Sequence, residues 1–381
     1  MKLTNLEATR YRSLKHVDVS LASMNVLIGA NASGKSNVLD ALRFLAEGVR
    51  AKEFWFAVAA RGGLSHLAWK DGIPDPIKLT ATFVDDDGCR YSWAVDLIPE
   101  MQRFGLHEQM FKFDREGSST HIMESQGGKV WWWSAQAKNN RVSLKLSSAS
   151  CALAAAGADE SFPARRVAEF VERWGFFDPS PPLLRRAAET TAGDRLDTHG
   201  GNLAARLYAI RNSHNGERIL TRIVTATRHI LGVPESIDPR VDEYDGEAYF
   251  LLKESGLVDS ILQSGVSSGT LRMLAFMTAL FGETDSSLVG IEEPENHVHP
   301  SALKGLAEYL REASERVQII VTTHSPILLD CLPTPEEVAI VRRTADGTSI
   351  VREENPQGVR RALEESGFSL GELHESMGFG T

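Results

Sequence analysis

GANASGKS, the stretch Gly29–Ser36, matches the pattern G-x-x-x-x-G-K-[ST] at every fixed position. The compact apolar run Asn25–Gly29 leads into it, and a helical pattern with Val38, Leu42 and Leu45 on one side follows it. A strand, a glycine-rich loop and a helix in this order form a phosphate-binding unit of α/β proteins. A chance glycine-rich turn would not carry both flanking elements. The stretch therefore predicts an α/β fold with a nucleotide-phosphate site.

The residue types of this loop explain the predicted chemistry. Glycine lets backbone N–H groups turn inward around phosphate oxygens, and the start of the helix adds partial positive charge. Lys35 would reach the β- and γ-phosphates, and the hydroxyl of Ser36 would bind Mg²⁺. The predicted binding residues of the loop are Gly29, Asn31, Ser33, Gly34, Lys35, Ser36 and Asn37.

A second candidate motif is the stretch Leu288–Glu295, which reads LVGIEEPE. An apolar strand that runs into two acids is the Walker B arrangement. Glu292 would then hold the Mg²⁺ shell, although an aspartate is usual at this place, and Glu293 would polarise the attacking water. The alternative is an ordinary acidic turn after a core strand. The presence of the phosphate-binding loop favours the catalytic interpretation.

Two further segments place polar groups at element ends. The apolar strand Val317–Thr322 is followed by His324, at the strand end where α/β sheets bind ligands, so His324 could contact a γ-phosphate. Ser267 and Gly269 precede the apolar helix Leu271–Phe281 and could bind phosphate. The alternatives are a capping or surface histidine and a simple helix N-cap.

The composition limits the function classes. There are 41 basic and 51 acidic side chains, a formal net charge of −10, which does not suggest a body wrapped in nucleic acid, although local basic patches stay open. No run of 18 apolar residues predicts a membrane span, and Met1–Leu14 lacks a signal-peptide core. The three cysteines are far apart, so we expect reduced thiols, no zinc site and a cytoplasmic protein without a membrane partner.

The chain divides by pattern into four segments. Residues 1–50 carry the phosphate-binding loop, and residues 51–160 include strand-like runs at Lys78–Val84 and Cys89–Ile98 that predict an inserted β-rich subdomain. Within it, the small residues of 147–160 predict a mobile loop. Residues 161–262 read as a helical lobe. Residues 263–381 return to alternating helices and apolar strands.

The order of these motifs resembles the series of ABC ATPases: Walker A, signature, Walker B, D-loop and H-loop. Ser268 and Thr270 stand where transporters usually have Gly and Gln, and His299 stands where the D-loop Asp is usual. These departures make the chain similar to the RecF/OLD/SMC-like "AAA family ATPases" of bacteria. The stretches that carry this resemblance are 10–15 (RYRSLK), 176–178 (FFD), 200–203 (GGNL), 269–272 (GTLR), 291–300 (IEEPENHVHP), 322–326 (TTHSP) and 371–373 (GEL).

The resemblance implies a fold and a mechanism. The expected fold is an α/β, P-loop ABC-type ATPase head with a mixed sheet, the inserted antiparallel β subdomain and the helical lobe. The cofactors would be ATP and Mg²⁺, with Lys35, Glu293 and His324 as catalytic residues. Ser267 and Gly269 of one head would contact the γ-phosphate held by the other, so the chain would work as a homodimer.

The sequence is compatible with several partners and biological roles. DNA is a candidate partner through repair or defence against phage, and a regulatory ATPase that gates a separate effector is the alternative; a transporter motor ranks lowest. About 40 residues follow the strand Val338–Arg342, too few for a nuclease domain, so we expect any nuclease activity from a partner chain.

Three sets of side chains are left without a single assignment. The Q-loop glutamine could be Gln102, Gln109, Gln126 or Gln136, and Tyr11 or Arg12 could stack on adenine. Phosphate could be contacted by Arg165, Arg166, Arg185 and Arg186, although solvated helix faces are favoured for them.

Overall fold

The structure is a computed structural model, and it describes residues 1–70, 75–100, 104–331, 334–352 and 370–371. The chain forms two compact units. Unit 1 contains Met1–Trp174 and Ala339–Arg352, and unit 2 contains Gly175–Val338.

In the described ranges the strands are β1 (Lys2–Tyr11), β2 (Leu14–Ser20), β3 (Met24–Ile28), β4 (Ile77–Val84), β5 (Arg90–Pro99), β6 (Phe104–Phe113), β7 (Ser119–Gln126), β8 (Lys129–Trp133), β9 (Arg141–Lys145), β10 (Trp174–Phe177), β11 (Ala188–Glu189), β12 (Ser236–Val241), β13 (Glu247–Lys253), β14 (Ile261–Leu262), β15 (Leu288–Glu292), β16 (Gln318–Thr323), β17 (Val338–Thr344) and β18 (Gly347–Arg352).

The helices of the same ranges are α1 (Lys35–Ala51), α2 (Phe54–Ala60), α3 (Leu64–Leu67), α4 (Ala152–Gly157), α5 (Arg165–Glu172), α6 (Pro181–Leu184), α7 (Leu203–Arg211), α8 (Gly216–Leu231), α9 (Ser268–Met277), α10 (Pro300–Ser314) and α11 (Pro326–Cys331). Helix α9 continues into a π-helical turn, Thr278–Gly282. None of the helices in the described part of the chain is both long and apolar enough to cross a membrane.

Unit 1 is dominated by an antiparallel sheet in the order β2-β1-β4-β5-β6-β7-β8-β9. Strand β1 pairs with β2 and also with β4, so the N-terminal strands share one sheet with the strands of residues 77–145. Strands β4 and β5 alternate buried and half-exposed side chains, which is typical of a sheet with one face on the core. The predicted β-rich insertion therefore extends a sheet that begins at residue 2.

Helix α1 packs into the core of unit 1 through aromatic side chains. The ring centroids of Tyr11 and Phe44 are 6.0 Å apart, those of Phe44 and Phe54 5.3 Å, and those of Phe54 and Trp93 6.4 Å. All four side chains are fully buried. This chain of rings connects β1, α1, α2 and β5, so it fixes the helix that follows the phosphate-binding loop.

Unit 2 contains the order β10-β15-β16, in which β15 and β16 are parallel. Both strands are almost entirely buried, as expected for strands covered on both faces. Helix α10 connects them, and their register aligns Glu292 with Thr322. The acidic end of β15 and the end of β16 consequently lie side by side. A separate small sheet of unit 2 has the order β11-β13-β12, with β14 also paired to β13.

Most predicted elements are present, and one local prediction is wrong. Residues 147–160 were expected to form a mobile loop, but Ala152–Gly157 forms α4. The side chain of Glu108 accepts the N–H groups of Ala152, at 2.6 Å, and Leu153, at 3.4 Å, so a carboxylate from β6 caps the helix. The division into four segments stays a prediction.

Candidate functional site

The loop Gly29–Ser36 lies between β3 and the first residue of α1, Lys35. Gly34 has φ 112°, a left-handed conformation that favours glycine. A Cβ atom at Gly34 would lie 2.1 Å from Oγ1 of Thr348, and one at Gly29 would lie 2.0 Å from the carbonyl oxygen of Val341. Both glycines of the motif are therefore required by close approach to β17 and β18.

Lys35 is 3% exposed, and its side chain turns back along the loop. Its Nζ donates to the carbonyl oxygens of Gly29, at 2.7 Å, and Ala30, at 3.0 Å. The ammonium group therefore lies at the inner side of the loop and at the start of α1. Two positive features, the charge of Lys35 and the helix N-terminus, coincide there.

The other predicted loop residues differ in exposure. Asn31 and Ser36 are exposed, so the hydroxyl of Ser36 is accessible to a metal ion, whereas Ser33 is buried and its Oγ has no hydrogen-bond partner among the described residues. Asn37 donates from Nδ2 to Oγ of Ser13 at 2.6 Å, so its side chain contacts protein. The Lys35 ammonium group, the unpartnered hydroxyl of Ser33 and the accessible hydroxyl of Ser36, all near a helix start, fit the phosphates and Mg²⁺ of a nucleotide.

In unit 2, the acids at the end of β15 form an ordered turn. Glu293 has φ 40°, and its N–H donates to the carbonyl of Thr322 at 2.9 Å. Its carboxylate accepts a hydrogen bond from Nδ2 of Asn296 at 2.9 Å. The side chain of Glu293 is still 27% exposed. It is consequently oriented by the turn and accessible to solvent, as a group that polarises water must be.

His324 lies beside these acids. Its Nδ1 is 3.6 Å from Oε1 of Glu293 and 3.3 Å from Oε1 of Glu295. Glu295 also accepts the N–H of His324, at 2.9 Å, and the hydroxyl of Thr323, at 2.6 Å, so it joins the ends of β15 and β16. The structure therefore brings together two predicted catalytic side chains, Glu293 and His324, and adds Glu295 as the residue that connects their loops.

The predicted signature segment begins α9 in unit 2. Ser267 is exposed and caps the helix, since its Oγ accepts the N–H of Thr270 at 3.1 Å. A Cβ at Gly269 would lie 3.0 Å from the carbonyl oxygen of His297, so the acidic turn and the helix start are in close contact. The N-cap alternative is thus correct for the structure, and Oγ of Ser267 also lies within hydrogen-bond distance of Oγ1 of Thr270, at 2.8 Å.

Comparisons with known proteins support an ATPase. A family model described as "AAA ATPase domain" matches residues 1–120, and one described as "AAA domain, putative AbiEii toxin, Type IV TA system" matches residues 199–330. A search of curated proteins gives no match.

Two solved structures cover nearly the whole chain. The SMC head bound to the C-terminal winged-helix domain of ScpA is 16% identical, with a TM-score of 0.57 over 94% of this chain and 100% of that one. The Smc head with an extended coiled coil, bound to the C-terminal domain of ScpA and derived from Pyrococcus furiosus, is 14% identical, with a TM-score of 0.50 over 96% and 99%. The chain has the fold of an ABC-type ATPase head.

Two arginines make contacts near the candidate site that the sequence did not indicate. Arg272 is 3% exposed, and its guanidinium donates to the carbonyl oxygens of Glu293, at 3.1 Å, and Pro179. Arg185 donates to the carbonyl of Val266 at 3.0 Å and to Oγ of Ser268 at 3.1 Å. A solvated helix face was favoured for Arg185, and this is wrong, because its side chain holds the segment before α9.

The structure removes one candidate residue for adenine stacking and does not select a Q-loop glutamine. Tyr11 is fully buried and donates to Oδ2 of Asp40 at 2.6 Å, so this head cannot use it for stacking, whereas Arg12 stays a candidate. Gln109 lies on β6, Gln126 lies on β7, and Gln136 follows β8, whereas Gln102 lies outside the described residues. Glu372 and Leu373, of the stretch that carries the family resemblance, also lie outside them. No contact selects one glutamine among the described ones.

Proposed function

We propose that this protein binds and hydrolyses ATP, and that two copies close on two nucleotides during the cycle. The observation that carries the proposal is the complete phosphate-binding loop at the start of α1, with the Lys35 ammonium group on its inner side at 2.7 Å from the Gly29 carbonyl. Such a loop has backbone donors and positive charge where phosphate groups bind.

Each candidate residue has a role in this proposal. Lys35 would stabilise the charge that develops on the phosphates, and Ser36 with Glu292 would hold Mg²⁺, which neutralises phosphate charge when bound. Glu293 would orient water and accept its proton. His324, near Glu293, would hold a γ-phosphate oxygen. The contribution of the protein is therefore positioning and electrostatic stabilisation.

The dimer is part of the same proposal. Ser267 and Gly269 form an exposed or half-exposed helix start with a hydroxyl group, which suits a phosphate of a second head. Two copies related by a twofold axis would each supply this segment to the other. The closed dimer would then be a switch that ATP closes and hydrolysis opens.

For the biological role we favour a switch in DNA repair or in defence against phage, because the motif set resembles RecF- and OLD-like proteins. The alternative is a regulatory ATPase that gates a separate effector protein. It is favoured by the family description that names a type IV TA system and by the net charge of −10. An ATP-dependent shift of DNA at low salt would support the first role, and its absence with every DNA form would support the second.

Replacing Lys35 tests the proposed activity. We expect Lys35→Ala to abolish ATP hydrolysis and to weaken nucleotide binding strongly, since the ammonium group of the loop is lost. Lys52→Ala is a matched control, because Lys52 is an exposed lysine at the other end of α1. Steady-state phosphate release and equilibrium binding of a fluorescent ATP analogue measure both effects. Turnover of Lys35→Ala near the wild-type level would overturn the assignment of the loop.

A further inference from the structure

The phosphate-binding loop of unit 1 is contacted by a residue far away in the sequence. Thr348 lies on β18, is 4% exposed, and donates from Oγ1 to the carbonyl oxygen of Ser33 at 2.9 Å. The hairpin β17–β18 turns at Thr344–Gly347, immediately before Thr348. Its tip is attached to the turn between β1 and β2, since the N–H of Thr348 donates to the carbonyl of Ser13 at 2.9 Å.

Three side chains form a hydrogen-bond chain that ends at this carbonyl. Nδ2 of Asn37 donates to Oγ of Ser13 at 2.6 Å, and Oγ of Ser13 is 2.7 Å from Oγ1 of Thr348. The single hydroxyl hydrogen of Thr348 is used for the Ser33 carbonyl, so Ser13 must be the donor toward Thr348. The chain therefore runs in one direction, from Asn37 through Ser13 and Thr348 to Ser33, and each bond polarises the next.

The geometry of a trans peptide gives this chain a consequence for ligand binding. In the peptide between Ser33 and Gly34, the C=O and N–H bonds point in opposite directions. Because Thr348 holds the Ser33 carbonyl, the N–H of Gly34 points away from Thr348. Among the described residues no protein acceptor takes this N–H, so it is free to bind an anion.

We propose that Thr348 is a positioning residue for the phosphate-binding loop: its hydroxyl, supported by Ser13 and Asn37, fixes the Ser33–Gly34 peptide so that the Gly34 N–H can donate to a nucleotide phosphate. This inference rests on the proposed function, since it concerns the same loop. It assigns the last hairpin of unit 1, which sequence motifs do not mark, to nucleotide binding.

The test replaces the hydroxyl while it keeps the shape. Thr348→Val removes the donor with little change in volume, and Thr348→Ser keeps the hydroxyl. Thr344→Val is the matched control on the same hairpin, because the Thr344 hydroxyl donates within the hairpin, to the carbonyl of Gly347 at 3.0 Å. Each protein is titrated with a fluorescent ATP analogue in Mg²⁺, its KM and kcat for ATP are measured, and its thermal unfolding is recorded without nucleotide.

We expect Thr348→Val to raise the Kd and KM for ATP about tenfold, in the range of one lost hydrogen bond to a charged group. Thr348→Ser should stay within about twofold of wild type, as should Thr344→Val. Ser13→Ala should weaken binding as well, and the double variant should lose less than the product of the two single effects, since both residues act in one chain.

Several outcomes would overturn the proposal. Equal Kd values for Thr348→Val and wild type would contradict it. A loss of binding that Thr344→Val shares would also contradict it. The same holds for a loss of binding that follows a lowered unfolding temperature in all variants. A wild-type protein that does not bind the ATP analogue would instead overturn the proposed function itself. The two failures are therefore distinguishable.

Discussion

Glu293, the predicted catalytic base, has a strained backbone. A non-glycine residue at φ 40° costs about 1–3 kcal/mol and persists only where its surroundings hold it. Here the Thr322 carbonyl accepts its N–H, the Arg272 guanidinium donates to its carbonyl, and the Asn296 amide donates to its carboxylate. The local strain is thus matched by three contacts that aim one side chain.

The buried side chain of Glu108 should make the stability of the protein depend on pH. It is fully buried, and burial raises its pKa to about 7 even though Ala152, Trp93 and Leu153 donate to its carboxylate. The folded state therefore binds a proton that the unfolded state releases near pH 4.5. Stability from this group is present below pH 4.5 and is lost as pH rises toward 7.

The matching variant is Glu108→Gln, which keeps an oxygen acceptor and does not titrate. We expect the free energy of unfolding of wild type, relative to the variant, to fall by about 3 kcal/mol between pH 4 and pH 8, from 1.36 kcal/mol per pKa unit. Urea unfolding at a series of pH values measures this difference. A difference that does not change with pH would contradict the prediction.

Helix α1 is anchored at its middle by one buried carboxylate. Asp40 is 2% exposed, and Arg43 and Arg61 donate to it at 2.7 and 2.8 Å, while Arg12 lies 3.0 Å away. Burial alone would raise the pKa of Asp40, but the hydrogen bonds and charge of Arg61, with help from Tyr11 and Arg12, lower it to about 2. Its stabilisation is present above pH 4 and is lost as pH falls through 2.

Asp40→Asn tests this anchor. We expect the variant to lose about 3–5 kcal/mol of unfolding free energy at pH 7, because three guanidinium groups lose their shared carboxylate. Glu47→Gln is the control: Glu47 also pairs with Arg61 but is 34% exposed, so its replacement should cost less than about 1 kcal/mol. Denaturant titration gives both values, and equal losses would show that burial of the anchor has no role.

The elements predicted from the sequence are those whose signals are local. The strand, glycine loop and helix around Lys35 follow directly from GANASGKS, and the hairpin β4–β5 follows from its alternating pattern. Strand β9 was missed because nearly all of its side chains are exposed, which leaves no alternation to detect. Helix α4 was missed because its cap comes from Glu108, more than 40 positions away.

The residues of the candidate site also separate into those with a local sequence signal and those whose contacts are long-range. Lys35, Glu293 and His324 could be named as candidates from the sequence, because each stands at the end of an apolar strand or loop motif, and their catalytic roles stay predictions. Arg272, Glu295 and Thr348 could not be assigned roles, since these roles depend on contacts across long separations; Thr348 and Ser33 are 315 positions apart. The position of Arg272, five residues after Ser267, is the one signal for it in the sequence. The charge of the side chain does not reveal that it is buried in the structure.

The proposed dimer predicts complementation between two inactive variants. Lys35→Ala and Ser267→Arg should each be nearly inactive alone. In a mixed dimer both changes fall in one composite site, so the second site is wild type. Mixing should recover about one quarter of the activity per total chain if pairing is random and the sites are independent.

The measurement is phosphate release from equal mixtures, with each variant alone at the same total concentration as the control. Normal turnover of Ser267→Arg alone would contradict the composite site, because an arginine at the phosphate face of a closed dimer would block it. Phosphate release by the mixture above the summed release of the two variants would support a site that is completed by a second chain. ATPases that complete their site within one chain would not show this recovery.

Unit 1 joins the beginning of the chain to its residues 339–352, and this has a consequence for synthesis on the ribosome. The phosphate-binding loop leaves the ribosome early, but Thr348 follows Ser33 by 315 residues. At 5–20 residues per second this interval lasts roughly 15–60 s. For that time the nascent loop lacks the hydroxyl that we propose orients it, so the affinity of the chain for nucleotide should rise once translation has passed the β17–β18 hairpin.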